Sequence, residues 1–280
     1  MKIADVQKLS MFDRLAYWIQ EREKIRLAKE QGLPKPWTDD EILQSYRFCN
    51  VRRMDDKVSQ WLFNNWYDQY FDHYNILPAV ALARFINKPE TLEKIGFPQI
   101  WKPKVIKDRV RKMQANGDVV FNAAYMVRGS DGTDKIESVV DYFCSPLVGK
   151  DFPRGSMKEL HGWVLSHFGF GSFMAGQVAA DLRHACDGEF ADKDTWAAIG
   201  PGSRRGMNRL LGRDLKSPMK QDEFDEQLVV VMYGLGGVLP YELTERLEAI
   251  DYQNCLCELD KVCRCLDGGR AKQKYNGGEV

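Results

Sequence analysis

Side chains recur at three- and four-residue steps along most of this chain, and that spacing constrains the fold more than any other feature. Met11, Leu15, Trp18, Ile19 and Ile25 set the pattern, with Arg22 in the same register. A step of this size places side chains on one face of a helix, whereas a strand alternates every second residue. The first helix is expected to stop near Gly32-Leu33-Pro34-Lys35-Pro36. Thr38 is then expected to cap a second helix, with Glu41 three residues on to complete a capping box. That helix carries Ile42, Leu43, Tyr46 and Phe48 into the segment Arg47–Asp56. Further helices are expected from Val58 to Tyr74, Leu77 to Ile86, and onward from Pro89. Others should span Lys104 to Asn116, Ser156 to Ser166, Phe173 to Ala185, Arg204 to Leu211, Phe224 to Gly234 and Pro240 to Val262. Asn116-Gly117 is a helix-ending pair. Residues 118–145 break the pattern. Val119-Val120-Phe121, Ala124–Val127 and the Gly129–Gly132 turn predict a small β-hairpin there. The chain therefore reads as a mainly α-helical domain over residues 1–280. It is divisible into lobes 1–150 and 151–267, with a polar, glycine-rich tail at 268–280.

Bulk composition narrows the function. Forty-four per cent of residues are hydrophobic and seven are tryptophan, which argues for a folded core. The formal net charge is zero, so any nucleic-acid contact must be local. Two basic stretches qualify. Residues 101–112 hold six basic side chains against Asp108, and residues 201–220 hold six against Asp214. No stretch approaches the ~18 apolar residues of a membrane span. The N-terminus lacks the apolar core and cleavage site of a secretory signal, so a cytoplasmic location is expected. The seven cysteines then read as free thiols. Four of them form C-x-C-x5-C-x-C at Cys255, Cys257, Cys263 and Cys265. That matches neither zinc pairs nor ferredoxin spacings, and packed thiols on a helix are expected, with no metal. No cofactor motif is present: the Gly-Lys-Ser/Thr ending of a phosphate loop does not occur.

Two glycine-hinged segments stand apart from the helical pattern. One is Gly169-Phe170-Gly171-Ser172-Phe173, the other Gly200-Pro201-Gly202-Ser203-Arg204-Arg205. Each opens a helix, and the amides at a helix start favour an anion. The second is followed at once by two arginines, so Gly200, Gly202, Ser203, Arg204, Arg205 and Asn208 are expected at a DNA backbone, with Gly169 and Gly171 assisting. The aromatic run Trp61, Phe63, Trp66, Tyr67, Tyr70, Phe71 and Tyr74 has helical spacing and is expected to pack in a core rather than stack on bases.

Four blocks together carry a resemblance. They are Pro36–Leu43 with Tyr46–Asp56, then GFGSFMAGQVAADL, DTWAAIGPGSRRGMNRLLG and DYQNCLCELDKVCR. In this order the chain resembles phage and bacterial proteins of DNA thymine hypermodification: the α-glutamyl/putrescinyl thymine pyrophosphorylases, or amino acid:DNA transferases, and the helical domain associated with 5-hydroxymethyluracil DNA kinases. The resemblance implies a distant likeness to helix-hairpin-helix DNA glycosylases, with Ile199–Gly202 in the place of the hairpin. It also implies a reaction. A separate 5-hydroxymethyluracil DNA kinase prepares double-stranded DNA in which the base is pyrophosphorylated. An amino acid or amine then displaces pyrophosphate at the C5 methylene, with the base held out of the stack.

Residues for each role can be nominated. Arg47, Asn50 and Arg53 stand at three-residue steps, with Asp56 continuing the face, and arginine forks match phosphate oxygens. Gln177 and Asp181 are four apart on an otherwise apolar helix, where a polar pair is costly unless used. Asp181 is the expected general base, with Gln177 on the same face, and Asp56 is the further catalytic candidate, expected to orient an arginine or bind the amine. Asn254, Glu258 and Asp260 form a third cluster for the substrate or pyrophosphate. A glycosylase acting on a modified pyrimidine, and a non-catalytic DNA-binding module serving the kinase, are the alternatives.

Overall fold

The computed structural model describes residues 2–122 and 132–269. The chain opens with α1 (Ile3–Lys8), α2 (Met11–Glu30) and α3 (Glu41–Ser45). It continues through α4 (Lys57–Leu62), α5 (Ile76–Ile86), α6 (Pro89–Ile95), α7 (Pro103–Ala115), α8 (Lys135–Glu137), α9 (Met157–Leu165) and α10 (Ser172–Ala185). It ends with α11 (Pro201–Leu210), α12 (Gln221–Gly236), α13 (Tyr241–Thr244) and α14 (Ala249–Leu266). The protein is mainly α, and no strand occurs among the described residues.

These helices form two compact units. One is Met1–Asp56 with Asp194–Val280, and the other is Lys57–Lys193. Residue 150, where a boundary between lobes was expected, falls inside the second unit.

In the first unit α2 and α14 supply the long apolar faces. Leu15, Trp18 and Ile19 pack with Phe224, Leu228, Leu256, Leu259 and Cys263, all buried. Burying each of the larger side chains contributes about 1.5–3 kcal/mol. Helix starts are set by local chemistry. Ser10 accepts the Asp13 amide at 3.1 Å. Asp40, not Thr38, caps α3 by accepting the Leu43 amide at 2.9 Å. Thr38 instead accepts the Asp40 amide at 3.0 Å and donates to Glu21 at 2.6 Å, fixing the loop before the cap. The carboxylate stands closer to the helix and is the stronger acceptor.

In the second unit α5 is buried along its whole length, as a helix that is apolar on all sides must be. Asn87 ends it in the left-handed region at φ 48°. Trp66 and Tyr67 of the aromatic run are buried and Tyr70 stacks on Phe97, while Phe71 and Tyr74 are exposed. The expected β-hairpin is not formed by the described residues. Residues 135–147 are helical, with Asp134 capping α8 at 2.8 Å and wider, π-type turns continuing it. Val139, Val140 and Phe143 face one core in that winding, which an alternating strand would split between two faces. Residues 123–131 of the expected hairpin lie outside the described residues.

Candidate functional site

Two glycines bring α11 onto α14. A Cβ at Gly206 would stand 2.1 Å from the Leu256 carbonyl oxygen, and one at Gly202 would stand 3.0 Å from the Cys257 Sγ. Both glycines occupy one face of α11, so its backbone lies against α14 with no side chain between. The hinge amide is used locally as well. The Gly200 N–H donates to the Ser203 hydroxyl at 3.0 Å, and Ser203 also accepts from Gln253 at 3.0 Å while fully buried. Asn208 is buried and donates to the Ser217 carbonyl at 3.0 Å, holding the turn after α11. Gly202 and Ser203 thus serve the contact with α14, the Gly200 amide closes the hinge, and Asn208 holds the turn after α11.

What that pair presents is a group of arginines around one buried acid. Asp260 is fully buried on α14. Arg205 Nε donates to it at 2.8 Å and Arg209 Nε at 3.1 Å, both from α11, four residues apart. Arg264 Nε lies 3.3 Å away, one turn along α14. Asp267 stands 3.9 Å from Arg209 Nη1, so three guanidinium groups face two carboxylates and positive charge is still in excess. The side chains of Arg205 and Arg264 are 35% and 42% exposed. Their Nε atoms face Asp260, and no partner among the described residues takes their outer N–H groups. Arg204 is half-buried on the preceding position. Buried carboxylate and half-exposed arginines together make a fixed fork for an anion.

The segment 46–56 is laid along another face of α14. It was expected to continue a helix, but α3 ends at Ser45 and Tyr46 is extended at φ −124° and ψ 149°. Side chains of α14 satisfy its backbone one after another. Lys261 donates to the Arg47 carbonyl, Glu258 accepts the Cys49 amide at 3.3 Å, and Asn254 donates to the Asn50 carbonyl at 3.4 Å. Asp251 accepts the Arg53 amide at 2.7 Å. Backbone groups paired in this way do not need the helical i→i−4 partner. Arg47, Asn50 and Arg53 therefore share no helical face. Arg22 of α2 donates to Asn50 Oδ1, and Asn50 in turn donates to the Asp55 carbonyl, so this amide is spent on bracing. Asn254 and Glu258 brace the same strap. Arg47 and Asp56 are exposed. The Arg47–Asp56 and Asn254–Asp260 blocks are thus one assembly.

Burial controls the thiols on α14. Cys255, Cys263 and Cys265 are buried, and burial lifts the Cys255 thiol well above its ordinary value. Cys257 is pushed up to about 12, by burial first and by the neighbouring Glu258 second. Among the described residues no three His, Cys, Asp or Glu side chains are grouped as a metal would need.

Asp181 and Gln177 lie in the second unit. Arg84 is the one charge in α5, and its guanidinium must be satisfied where water is absent. Asp181 does this. Arg84 donates to it through Nε and, at 2.7 Å, through Nη2. Tyr67 donates a further bond to Asp181 at 2.8 Å, and Arg84 reaches Ser59 and Asn87 at 3.1 Å. With 2% exposure and these partners, the Asp181 carboxylate is committed to holding α5, α10 and the turn carrying Tyr67 together. It is not placed to take a proton from a substrate. Gln177 is half-buried one turn earlier.

The first hinge joins α9 and α10, which pack on each other. Gly169 sits at φ 88°, and a Cβ there would stand 2.1 Å from the Phe143 ring, so only glycine fits. Gly171 is the residue before α10 and meets nothing. His161 is buried on α9 against the Ser172 carbonyl at 3.1 Å, and burial lowers its pKa.

Sequence reasoning missed Arg209, Arg264 and Arg84. The repeats Arg205/Arg209 and Asp260/Arg264, each four apart, were the available signal.

Among the described residues no helix is long and apolar enough to cross a membrane. No solved structure matches the chain. The chain is 28% identical over 266 residues to a protein named 5-hmdU DNA kinase from Bacillus phage SP10. The match covers 85% of this chain and 40% of that relative, so the chain spans well under half of the relative's length. The model of the helical domain of 5-hmdU DNA kinase matches residues 9–270, and with nearly its whole length covered the chain belongs to that family of helical domains.

Proposed function

We propose that this protein acts in the hypermodification of thymine in DNA, transferring an amino acid or amine onto pyrophosphorylated 5-hydroxymethyluracil. The observation that carries the reading is the arginine cluster of Arg205, Arg209 and Arg264 on the buried Asp260. Both the DNA backbone and a departing pyrophosphate are anions that such a fork would hold. Membership of the 5-hmdU DNA kinase helical-domain family supports modified thymine as the substrate.

In the step itself, the amine nitrogen forms a bond to the C5 methylene. The carbon–oxygen bond to pyrophosphate breaks, and pyrophosphate leaves with the bonding pair. The attacking nitrogen loses its proton to solvent or to an exposed carboxylate, Asp56 among them. The half-exposed arginines would offset the charge that grows on the leaving group. The test is incubation of the protein with DNA carrying pyrophosphorylated 5-hydroxymethyluracil and a mixture of amino acids and polyamines. Digestion to nucleosides should give a new mass, with an equivalent of pyrophosphate released. Absence of a new nucleoside with every amine tried rejects the transfer.

One observation favours a second reading. The similarity lies with a domain of a relative named as a kinase, and this chain spans 40% of it. A helical module that presents DNA to a kinase would fit that. In that case no amine is transferred, and adding the protein raises phosphorylation of hydroxymethyluracil DNA by the kinase.

A further inference from the structure

We infer that the first unit holds a binding pocket for a zwitterionic α-amino acid with an apolar side chain. A cavity of about 680 Å³ lies between the C-terminal half of α2, the proline-rich loop after it and the residues around α13. That volume is within the range of small-molecule sites, which runs to roughly 1,000 Å³. Leu27, Leu33, Trp37 and Leu243 supply apolar wall. Leu27 and Leu33 are 42% and 50% exposed, so this surface is open for a ligand to cover.

The charged groups of the pocket are not equivalent. Arg26 is closed off: it donates to Glu23 at 2.8 Å and Glu30 at 2.6 Å, and lies 3.2 Å from Asp55. Arg246 is not. It reaches Asp55 at 3.4 Å and Glu23 at 3.9 Å, and both acids already serve Arg26. Its guanidinium therefore stands at the cavity with long contacts and spare donors. Glu242, four residues earlier, also lines the cavity, is exposed, and has no ion-pair partner among the described residues. The two opposite charges do not close on each other. A ligand carboxylate fits the Arg246 fork, and a ligand ammonium fits Glu242. The apolar walls take the side chain. The wall's other basic groups are already paired, Lys24 with Glu21 at 3.2 Å and Arg26 with Glu23 and Glu30. That leaves Arg246 as the cation with spare donors, beside Glu242, itself unpaired among the described residues, an arrangement that favours a zwitterion over a phosphate.

This inference deepens the proposed transfer by locating its amine, and it rests on that reading for the ligand's fate but not for its binding. The test is calorimetric titration of the full chain, without DNA. The probes are phenylalanine and leucine, then 3-phenylpropionate and phenethylamine, which each lack one charge, and inorganic pyrophosphate. Saturable binding by the amino acids in about the micromolar to millimolar range is expected. Each single-charge analogue should bind about tenfold more weakly or worse, and so should phenylalanine to Arg246→Gln and Glu242→Gln. Both residues are at the surface, and an unchanged thermal midpoint will show that the variants fold. Absence of saturable amino-acid binding, equal binding of the single-charge analogues, preferred binding of pyrophosphate, or binding indifferent to both substitutions overturns the pocket. If the pocket fails while a new nucleoside still forms, the transfer reading stands with its amine elsewhere. If the pocket binds amino acids and no nucleoside forms, the transfer reading alone fails.

Discussion

Arg84 is a single charge in an eleven-residue buried helix, and its satisfaction organises the second unit. Two bonds to Asp181 and one from Tyr67 to the same carboxylate leave little of that acid unpaired. Breaking a buried pair by removing one partner typically costs roughly 3–5 kcal/mol, since the remaining charge is stranded. Asp181→Asn is therefore expected to lower stability by about that amount in urea denaturation. A loss below about 1 kcal/mol would contradict the assignment of Asp181 to structure. The sequence singled out Asp181 correctly as a polar group on an apolar helix. It could not distinguish a catalytic acid from the partner of an arginine 97 residues away. That distinction depends on a tertiary contact.

At the scale of elements, close approach and backbone pairing decide what spacing alone leaves open. Gly206→Ala places a Cβ on the Leu256 carbonyl, which is backbone and cannot turn aside. Overpacking of this kind costs typically about 1–3 kcal/mol, and Gly202→Ala, which meets a cysteine side chain, should cost less. Parallel thermal melts of the two variants check the order. The α9–α10 pair carries a pH dependence. His161 is held neutral by burial, so its folded-state pKa lies below the ordinary value of 6.5. The unfolded chain then binds the extra proton first, and stability falls as pH drops through about 6.5. In His161→Gln the loss of stability between about pH 7.5 and pH 5.5 should be smaller than in the parent protein. Equal losses would place the titration elsewhere. Most helices were legible, α5 as an unbroken apolar run closed by Asn87, α9 by its apolar spacing and the Ser156 cap, and α10 as the apolar run after the Gly171 hinge. Segment 46–56 was not, because its polar residues keep helical spacing while α14 takes their backbone groups. The hinge at Gly200 was legible as a helix start, but its glycines serve the packing of α11 on α14.

For the whole molecule, zero net charge means that the proposed DNA contact must come from a patch, and the Arg205–Arg209–Arg264 cluster is the best-organised one described. Of that cluster Arg205 and Asp260 were nominated from the sequence, but in separate groups, since Asp260 joins residues from two helices. Asp260→Asn should keep the three positive charges but loosen their aim, weakening DNA binding while thermal stability also falls. The most direct measurement is the salt dependence of affinity for a DNA duplex, for the parent protein and for Arg205→Gln with Arg264→Gln. Each lost phosphate contact should reduce the slope of log K against log salt by about one. A slope smaller by about two in the double variant, with folding intact, is the predicted result. An unchanged slope and affinity would show that the cluster only ties α11 to α14, and would contradict the account.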